Sequence, residues 1–235
     1  MSLQSQFEQV QQRIAQACLQ AHRKPSEVSL IAVSKTFPLA LILEAMGYGQ
    51  HHFGENYVQE AETKILQFKQ LNSLSQPIRW HFIGPLQSNK TKPVAEYFDW
   101  VHSIDRLKIA QRLSAHCAEI HKTLNILVQV NTSNESTKSG VTPEQVLPLC
   151  LQLQQLPNIK LCGLMTITSN TNDSKLLETE FALCHSLLQQ LKTSGIHTAT
   201  ELSMGMSADL ELAIKHGATM VRIGSALFGQ RNTQH

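Results

Sequence analysis

The sequence predicts a (β/α)₈ barrel, in which eight parallel strands close into a barrel inside a ring of helices. Strand-like and helix-like segments take turns along the 235 residues, and this alternation is typical of a parallel sheet. No linker or low-complexity tract interrupts it, so we expect one domain over residues 1–235. A doubly wound open sheet is the alternative fold, but no Gly-x-Gly-x-x-Gly motif follows any predicted strand.

An extra helix is expected before the alternation begins, from residue 2 to residue 22, because apolar residues recur there at helical spacing. The first strand then covers residues 30–36, an apolar run that stops at Lys35. Pro38 suits the first turn of the following helix, and Gly47 suits its end.

The later strands are short apolar runs bounded by glycine, proline or polar residues. They are predicted at residues 51–54, 78–83, 100–103, 124–130, 159–167, 199–202 and 220–223. Longer segments with apolar residues at helical spacing lie between them. These predict helices that begin at residue 55 and that cover residues 88–97, 106–120, 143–156, 176–192 and 208–216, with a short last helix after Gly224.

The composition indicates an ordinary soluble protein, with 42% hydrophobic residues, 16% charged residues and a formal net charge of +2. No run of about 18 apolar residues is present and the start of the chain is polar, so we expect a cytoplasmic protein. The small net charge argues against nucleic acid or a membrane as partner. The five cysteines form no Cys-x-x-Cys pair and the histidines show no metal-ligand spacing, so we assign no metal.

Lys35 ends the first predicted strand, and in such barrels the carboxyl ends of the strands carry the functional residues. An ammonium at the edge of an apolar core loses hydration, which favours its neutral, nucleophilic form. A lysine of this kind can form a Schiff base with an aldehyde. The simpler interpretation is that Lys35 only extends to water at a strand end, so other features of the sequence must decide.

A phosphate site is predicted at the same edge, because these barrels often bind phosphate with the loops after strands seven and eight. Here the loops contain residues 203–207 and 222–225, with the hydroxyls of Ser207 and Ser225. Glycine lets an anion approach the backbone, and helix N-termini supply unpaired amides, although each serine alone is more often a helix cap. An amine beside a phosphate site suggests a ligand that is both an aldehyde and a phosphate ester, such as pyridoxal 5'-phosphate.

The residues at this edge resemble the pyridoxal phosphate homeostasis protein family, and the resemblance covers essentially the whole chain. It rests on six blocks, which in chain order are residues 32–36, 53–60, 80–90, 163–165, 202–207 and 221–229. The resemblance implies a barrel similar to the N-terminal domain of alanine racemase. It also implies that Lys35 holds pyridoxal phosphate in a Schiff base.

Further roles follow from the same resemblance. Arg222 should face the pyridine nitrogen of the cofactor, and because a guanidinium only donates, it leaves that nitrogen unprotonated and the ring a weaker electron sink. Ser203 and His81 are additional candidates, with a self-capping serine and a histidine bonded to a backbone carbonyl as the simpler interpretations. By the same resemblance, the phosphate should contact Ser207, Gly224 and Ser225. The cofactor should be lined by Asn56 and Met165.

Three function classes can be weighed against these residues. The resemblance favours a monomeric carrier that binds pyridoxal phosphate reversibly and buffers its supply to apo pyridoxal-phosphate enzymes, without established catalysis. The alternative is an amino-acid racemase or decarboxylase of the same fold type, which ordinarily requires a second, β-rich domain. A sugar-phosphate aldolase would also use a lysine, but usually one on the sixth strand. If Lys35 does not carry the cofactor, Lys138 in the loop after strand five is the next candidate.

Overall fold

The computed structural model describes residues 2–71, 77–133, 135 and 138–229. Its eight strands are parallel and close into a barrel in chain order, with the first strand paired to the last. This confirms the predicted (β/α)₈ barrel. The strands are β1 (Ser29–Val33), β2 (His52–Glu55), β3 (Arg79–Phe82), β4 (Trp100–Ile104), β5 (Leu124–Val130), β6 (Ile159–Thr166), β7 (Glu201–Ser203) and β8 (Met220–Ile223).

Helices alternate with these strands and cover the outside of the barrel, and the predicted extra helix precedes β1. In the described part of the chain the α-helices are α1 (Leu3–Gln20), α2 (Leu39–Gly47), α3 (Val58–Gln70), α4 (Thr91–Tyr97), α5 (Leu107–Glu119), α6 (Pro143–Leu153), α7 (Ser174–Thr193), α8 (Leu210–Lys215) and α9 (Ser225–Phe228).

Two element boundaries near the predicted site differ from the sequence prediction for clear reasons. β1 ends at Val33 instead of residue 36, because Thr36 has a φ of 68° and the backbone N–H of Phe37 donates to Ser34 O at 3.0 Å, which turns the chain. α3 begins at Val58 instead of residue 55, because Glu55 is still paired with β3 as a strand residue. Lys35 therefore lies in a tight turn that follows the strand.

Side chains along each strand alternate between two apolar clusters. The larger cluster packs the outer face of the strands against the helices and includes Trp80, Phe82 and Val101. His81 and His102 alternate with these residues and so point into the barrel. The smaller cluster fills part of that interior with Ile31, Leu127, Cys162, Met165 and Met220. The barrel interior is thus divided between an apolar part and a polar part.

The extra helix α1 packs against α2, α8 and α9. The ring of Phe7 lies 6.2 Å from the ring of Phe228, in an edge-on arrangement. On the same helix, Arg13 forms an ion pair with Glu211 of α8, with Nε and Oε1 2.7 Å apart. α1 therefore joins the last helices of the ring to the first one.

Among the described residues, no helix has both the length and the apolar character that a membrane span requires. In the same residues, no group of three or more histidine, cysteine, aspartate or glutamate side chains is arranged to hold a metal ion. The cytoplasmic location expected from the sequence stays a prediction.

Candidate functional site

The residues predicted for the site lie at or just beyond the carboxyl ends of five strands. These strands are β6, β7, β8, β1 and β2, which are consecutive around the closed barrel. One sector of the rim therefore contains Met165, Ser203, Ser207, Arg222, Gly224, Ser225, Lys35 and Asn56. Because β1 pairs with β8 in the register Ala32 to Ile223, the lysine near the start of the chain adjoins the residues near its end.

Lys35 is half-buried, and its neighbours in the chain are anchored on both sides. The backbone N–H of Ser34 donates to Gly54 O at 3.0 Å, so this residue continues the contact with β2. The Ser34 hydroxyl donates to Glu55 Oε1 at 2.7 Å. On the other side, the backbone N–H of Thr36 donates to Glu60 Oε1 at 2.5 Å. The two carboxylates thus fix the chain before and after Lys35.

Lys64 of α3 connects these two carboxylates. Its ammonium donates to Glu55 Oε1 at 2.8 Å, to Glu60 Oε1 at 2.6 Å and to Ser34 O at 2.9 Å. Lys64 is buried although a helix lysine usually reaches water. Three acceptors satisfy the three donors of an ammonium, which is the condition for keeping such a charge inside a protein. We name Ser34, Glu55, Glu60 and Lys64 the anchor cluster.

Glu55 is fully buried, and burial raises the pKa of its carboxyl above the usual value. The Lys64 ammonium and the Ser34 hydroxyl oppose that rise. Its Oε2 atom has no hydrogen-bond partner among the described residues. The carboxylate therefore depends on Lys64 for most of its compensation.

Arg222 is buried in the barrel interior, near the carboxyl end of β8. Nη1 donates to Ser203 Oγ at 2.7 Å and Nη2 donates to Thr166 O at 2.8 Å. Burial lowers the pKa of the guanidinium to about 10, and the charge of Asp209 opposes this shift. Arg222 is thus a cation at neutral pH that is held mainly by neutral oxygen acceptors.

Ser203 and Arg222 are the last two members of a hydrogen-bonded chain that crosses the interior. His52 Nδ1 lies 2.9 Å from His81 Nε2, and His81 Nδ1 lies 2.9 Å from His102 Nε2. His102 Nδ1 lies 2.9 Å from Ser203 Oγ. We name these five side chains the interior relay. Burial lowers the pKa values of His81 and His102 well below the usual value for histidine, so both rings are neutral.

The loops after β7 and β8 are linked to each other and to α1. The backbone N–H of Arg222 donates to Gly205 O at 3.0 Å. The carbonyl oxygen of Ser207 accepts a hydrogen bond of 3.0 Å from Arg13 Nη2. Gly224 precedes α9, and a Cβ built on it would be in ordinary van der Waals contact with Val33 Cβ at 3.4 Å, so this loop packs against the end of β1. Ser225 is exposed at the start of α9.

Asn56 and Met165 lie at opposite sides of the sector. Asn56 follows β2, and its buried Oδ1 atom has no hydrogen-bond partner in the part of the chain that the structure describes. Met165, near the end of β6, belongs to the interior apolar cluster and is almost fully buried. An unsatisfied buried acceptor at one side of the sector and an apolar surface at the other are both features of a ligand pocket.

Several residues of these two networks were missed by the sequence prediction. His52 and His102 were not singled out, although each is a polar residue on the inward face of a short strand. The contact between Glu55 and Lys64 was not predicted either, because a nine-residue spacing between a strand end and a helix carries no pattern. His81, predicted as a rim residue, bonds two other histidines instead of a backbone carbonyl. Lys138, the second candidate lysine, forms an ion pair with Glu135, with Nζ and Oε1 2.9 Å apart.

The chain is similar to known proteins in both sequence and fold. A family model described as "Alanine racemase, N-terminal domain" matches residues 7–232. A pyridoxal phosphate homeostasis protein from Pasteurella multocida is 49% identical over 233 residues, which make up 99% of each chain. The structure of PipY from Synechococcus elongatus with PLP bound is 37% identical, with a TM-score of 0.80 and coverage of 94% of this chain and 100% of that one.

An alanine racemase from Corynebacterium glutamicum is similar in fold. It is 15% identical, with a TM-score of 0.69, and the match covers 96% of this chain but 64% of the racemase. An identity this low establishes a common barrel and nothing about activity.

Replacement of Lys64 by methionine tests the anchor cluster. We expect Lys64→Met to lower the free energy of unfolding by about 3–5 kcal/mol, because it leaves the buried Glu55 carboxylate without its cation. The double variant Lys64→Met with Glu55→Gln should lose less than the single variant, since the uncompensated charge is then absent. Urea unfolding of the three proteins measures both differences. A single variant within about 1 kcal/mol of the wild type would contradict this.

The same variant should show a definite pH dependence. Because the pKa of Glu55 is raised by folding, the folded protein holds this proton more tightly than the unfolded chain, and stability falls as the pH rises through that pKa. Loss of Lys64 removes the ammonium that lowers this pKa. The destabilisation should therefore shrink as the pH is lowered from about 8 to about 5.

Proposed function

Because the chain belongs to the family defined by the N-terminal domain of alanine racemase, and within it to the pyridoxal phosphate homeostasis proteins, we propose that it binds pyridoxal 5'-phosphate reversibly and buffers its supply. The observation that carries the proposal is that Lys35 directly follows β1 and Arg222 lies on β8, and that these two strands are paired. A nucleophilic amine and a buried guanidinium on one rim suit an aldehyde on a pyridine ring.

Lys35 is the residue that we propose as the covalent attachment point. The neutral amine of Lys35 would hold the cofactor through a C=N double bond between Nζ and the aldehyde carbon, with the carbonyl oxygen lost as water together with both amine hydrogens. The anchor cluster supports this role because it fixes the backbone on both sides of Lys35. A side chain that starts from a rigid turn loses less entropy when it forms the bond.

The phosphate is proposed to bind at Ser207, Gly224 and Ser225. These residues belong to the loops after β7 and β8, where this type of barrel usually holds phosphate. The bond from Arg13 to the Ser207 carbonyl gives the loop a fixed position. Asn56 is proposed to use its unsatisfied Oδ1, and Met165 its apolar surface, to line the cofactor.

A carrier is favoured over an enzyme by the environment of Arg222. Bound pyridoxal phosphate supplies an electron sink whose strength depends on protonation of the ring nitrogen. Arg222 can only donate to that nitrogen, which leaves it without a proton of its own. We therefore propose binding without amino-acid turnover, by a monomeric single domain in the cytoplasm. Apo pyridoxal-phosphate enzymes would be the recipients of the cofactor.

Borohydride trapping tests the covalent attachment. The wild type incubated with pyridoxal phosphate should absorb in the visible region and, after reduction and digestion, should yield one modified peptide containing Lys35. Lys35→Ala should yield no modified peptide while keeping its unfolding curve. Lys138→Ala is the matched control, since it removes a lysine from the same rim, and it should be modified like the wild type. A modified Lys138 in place of Lys35 would refute the assignment.

Comparison of phosphorylated and unphosphorylated ligand tests the phosphate site. Ser207→Ala combined with Ser225→Ala should weaken pyridoxal phosphate by about 1.5–3 kcal/mol, the usual cost of losing hydrogen bonds to a charged group. Pyridoxal, which has no phosphate, should bind the variant and the wild type alike. Equal weakening of both ligands would mean that the serines do not contact the phosphate.

Proton exchange tests the proposed lack of turnover. In deuterated water with pyridoxal phosphate and a panel of L- and D-amino acids, the α-protons should stay unexchanged beyond the rate with free cofactor, because Arg222 disfavours the protonated ring. Mass spectrometry measures the exchange. Robust exchange of one amino acid by the wild type but not by Lys35→Ala would establish the racemase or decarboxylase alternative.

A further inference from the structure

The interior relay joins five strands through side chains alone. It runs from His52 at the foot of β2, through His81 and His102, to Ser203 and Arg222 near the functional rim, with donor–acceptor distances of 2.7–2.9 Å. Polar side chains inside a protein are costly unless each finds a partner. Four consecutive hydrogen bonds of this kind indicate a function beyond filling the barrel. The donors and acceptors of each side chain indicate what that function is.

The guanidinium of Arg222 determines the direction in which the hydrogen bonds of the relay are donated. Arg222 only donates, so the Ser203 oxygen accepts from it, and the Ser203 hydroxyl hydrogen is left for His102 Nδ1. A neutral His102 then carries its proton on Nε2 and donates to His81 Nδ1. His81 in turn carries its proton on Nε2 and donates to His52 Nδ1. All three imidazoles are therefore in the Nε2–H form.

The opposite direction leaves one donor unused. If each histidine carried its proton on Nδ1, His102 would donate to the Ser203 oxygen together with Arg222. The Ser203 hydroxyl hydrogen would then have no acceptor among its two partners in the described structure. An unsatisfied buried donor is destabilising, so the direction that starts at Arg222 is preferred.

We propose that His102 and His81 are positioning residues for Arg222, acting through the hydroxyl of Ser203. His102 draws the hydroxyl hydrogen away from the guanidinium, and His81 holds the His102 ring in the orientation that does so. The Ser203 oxygen and Thr166 O then fix the plane of the guanidinium. Its other N–H groups keep one direction, toward the pyridine ring of the cofactor. This role rests on the proposed function, since it assumes that Arg222 faces pyridoxal phosphate.

A neutral relay also differs in effect from a carboxylate. An aspartate or glutamate beside Arg222 would pair with its charge and compete with the ligand for its N–H groups. The Ser203 hydroxyl accepts one hydrogen bond and leaves the charge of Arg222 uncompensated at that contact. The guanidinium therefore remains a strong donor for the ring nitrogen, and this explains why three histidines occupy space that apolar side chains could fill.

Two measurements test the relay, and the first uses the unmodified protein without cofactor. Nitrogen-15 NMR of the imidazole rings distinguishes the Nε2–H form from the Nδ1–H form. We expect the Nε2–H form at His52, His81 and His102, and a changed signal at His102 in Ser203→Ala. An Nδ1–H form at His102 in the wild type would overturn the direction of the relay and with it the proposal.

The second measurement is the affinity for pyridoxal phosphate, followed by absorbance titration. His102→Leu removes the acceptor of the Ser203 hydroxyl and should weaken binding roughly 10-fold, as for one lost hydrogen bond to a charged group. His102→Asn places an amide oxygen near the position of Nδ1 and should restore most of the affinity. His185→Leu, on α7 and outside the relay, is the matched control and should bind like the wild type. Unfolding curves show whether each variant is folded.

A double variant separates positioning from a general loss of packing. Ser203→Ala and His102→Leu act on the same path, so the two together should weaken binding no more than either alone. Additive losses, or wild-type affinity in a folded His102→Leu, would overturn the positioning role. If the wild type forms no reducible adduct at Lys35, the proposed function itself is overturned. If the adduct forms but the NMR spectra show the Nδ1–H form at His102, only the role of the relay is overturned.

Discussion

The polar interior of this barrel depends on one buried cation, the guanidinium of Arg222. No side chain that contacts it by a described hydrogen bond carries a negative charge, since its acceptors are the Ser203 hydroxyl and Thr166 O. A cation in such surroundings must be satisfied by oriented neutral dipoles. Those dipoles extend from Ser203 through the histidines to the foot of β2. The requirement of a single side chain therefore determines the composition of a whole section of the interior.

A second buried cation, Lys64, is satisfied in the opposite way. It lies outside the barrel wall between α3 and the ends of β1 and β2, and two carboxylates neutralise it. This full neutralisation suits a part of the protein that only holds the backbone of Lys35 in position. The absence of a hydrogen-bonded carboxylate suits the proposed role of Arg222, in which the guanidinium donates to a ligand. The cation proposed to support the backbone is thus paired with carboxylates, and the cation proposed to bind the ligand contacts neutral oxygens.

The sequence predicted the architecture well because each element is encoded locally. The bounds of β5 and β8 coincide with the apolar runs 124–130 and 220–223, and the rim position of Lys35 follows from its place after β1. The networks could not be predicted, because they depend on register. His81 is paired with Trp100, so His102 lies diagonally across from it, and that relation is absent from either strand alone. Lys64 looks like any solvent-facing helix lysine until α3 is docked against β1.

Closure of the barrel has a consequence for the order in which the site comes into being. β1 and β8 are neighbours, with Ile31 opposite Arg222, although they lie near the two ends of the chain. During synthesis Lys35 leaves the ribosome early, whereas Arg222 and Gly224 leave it among the last residues of the barrel. An incomplete chain therefore contains Lys35, the proposed attachment point, without the other residues of the proposed site. A ligand that contacts residues of both β1 and β8 binds only the finished barrel. By mass action, it then opposes separation of these two strands.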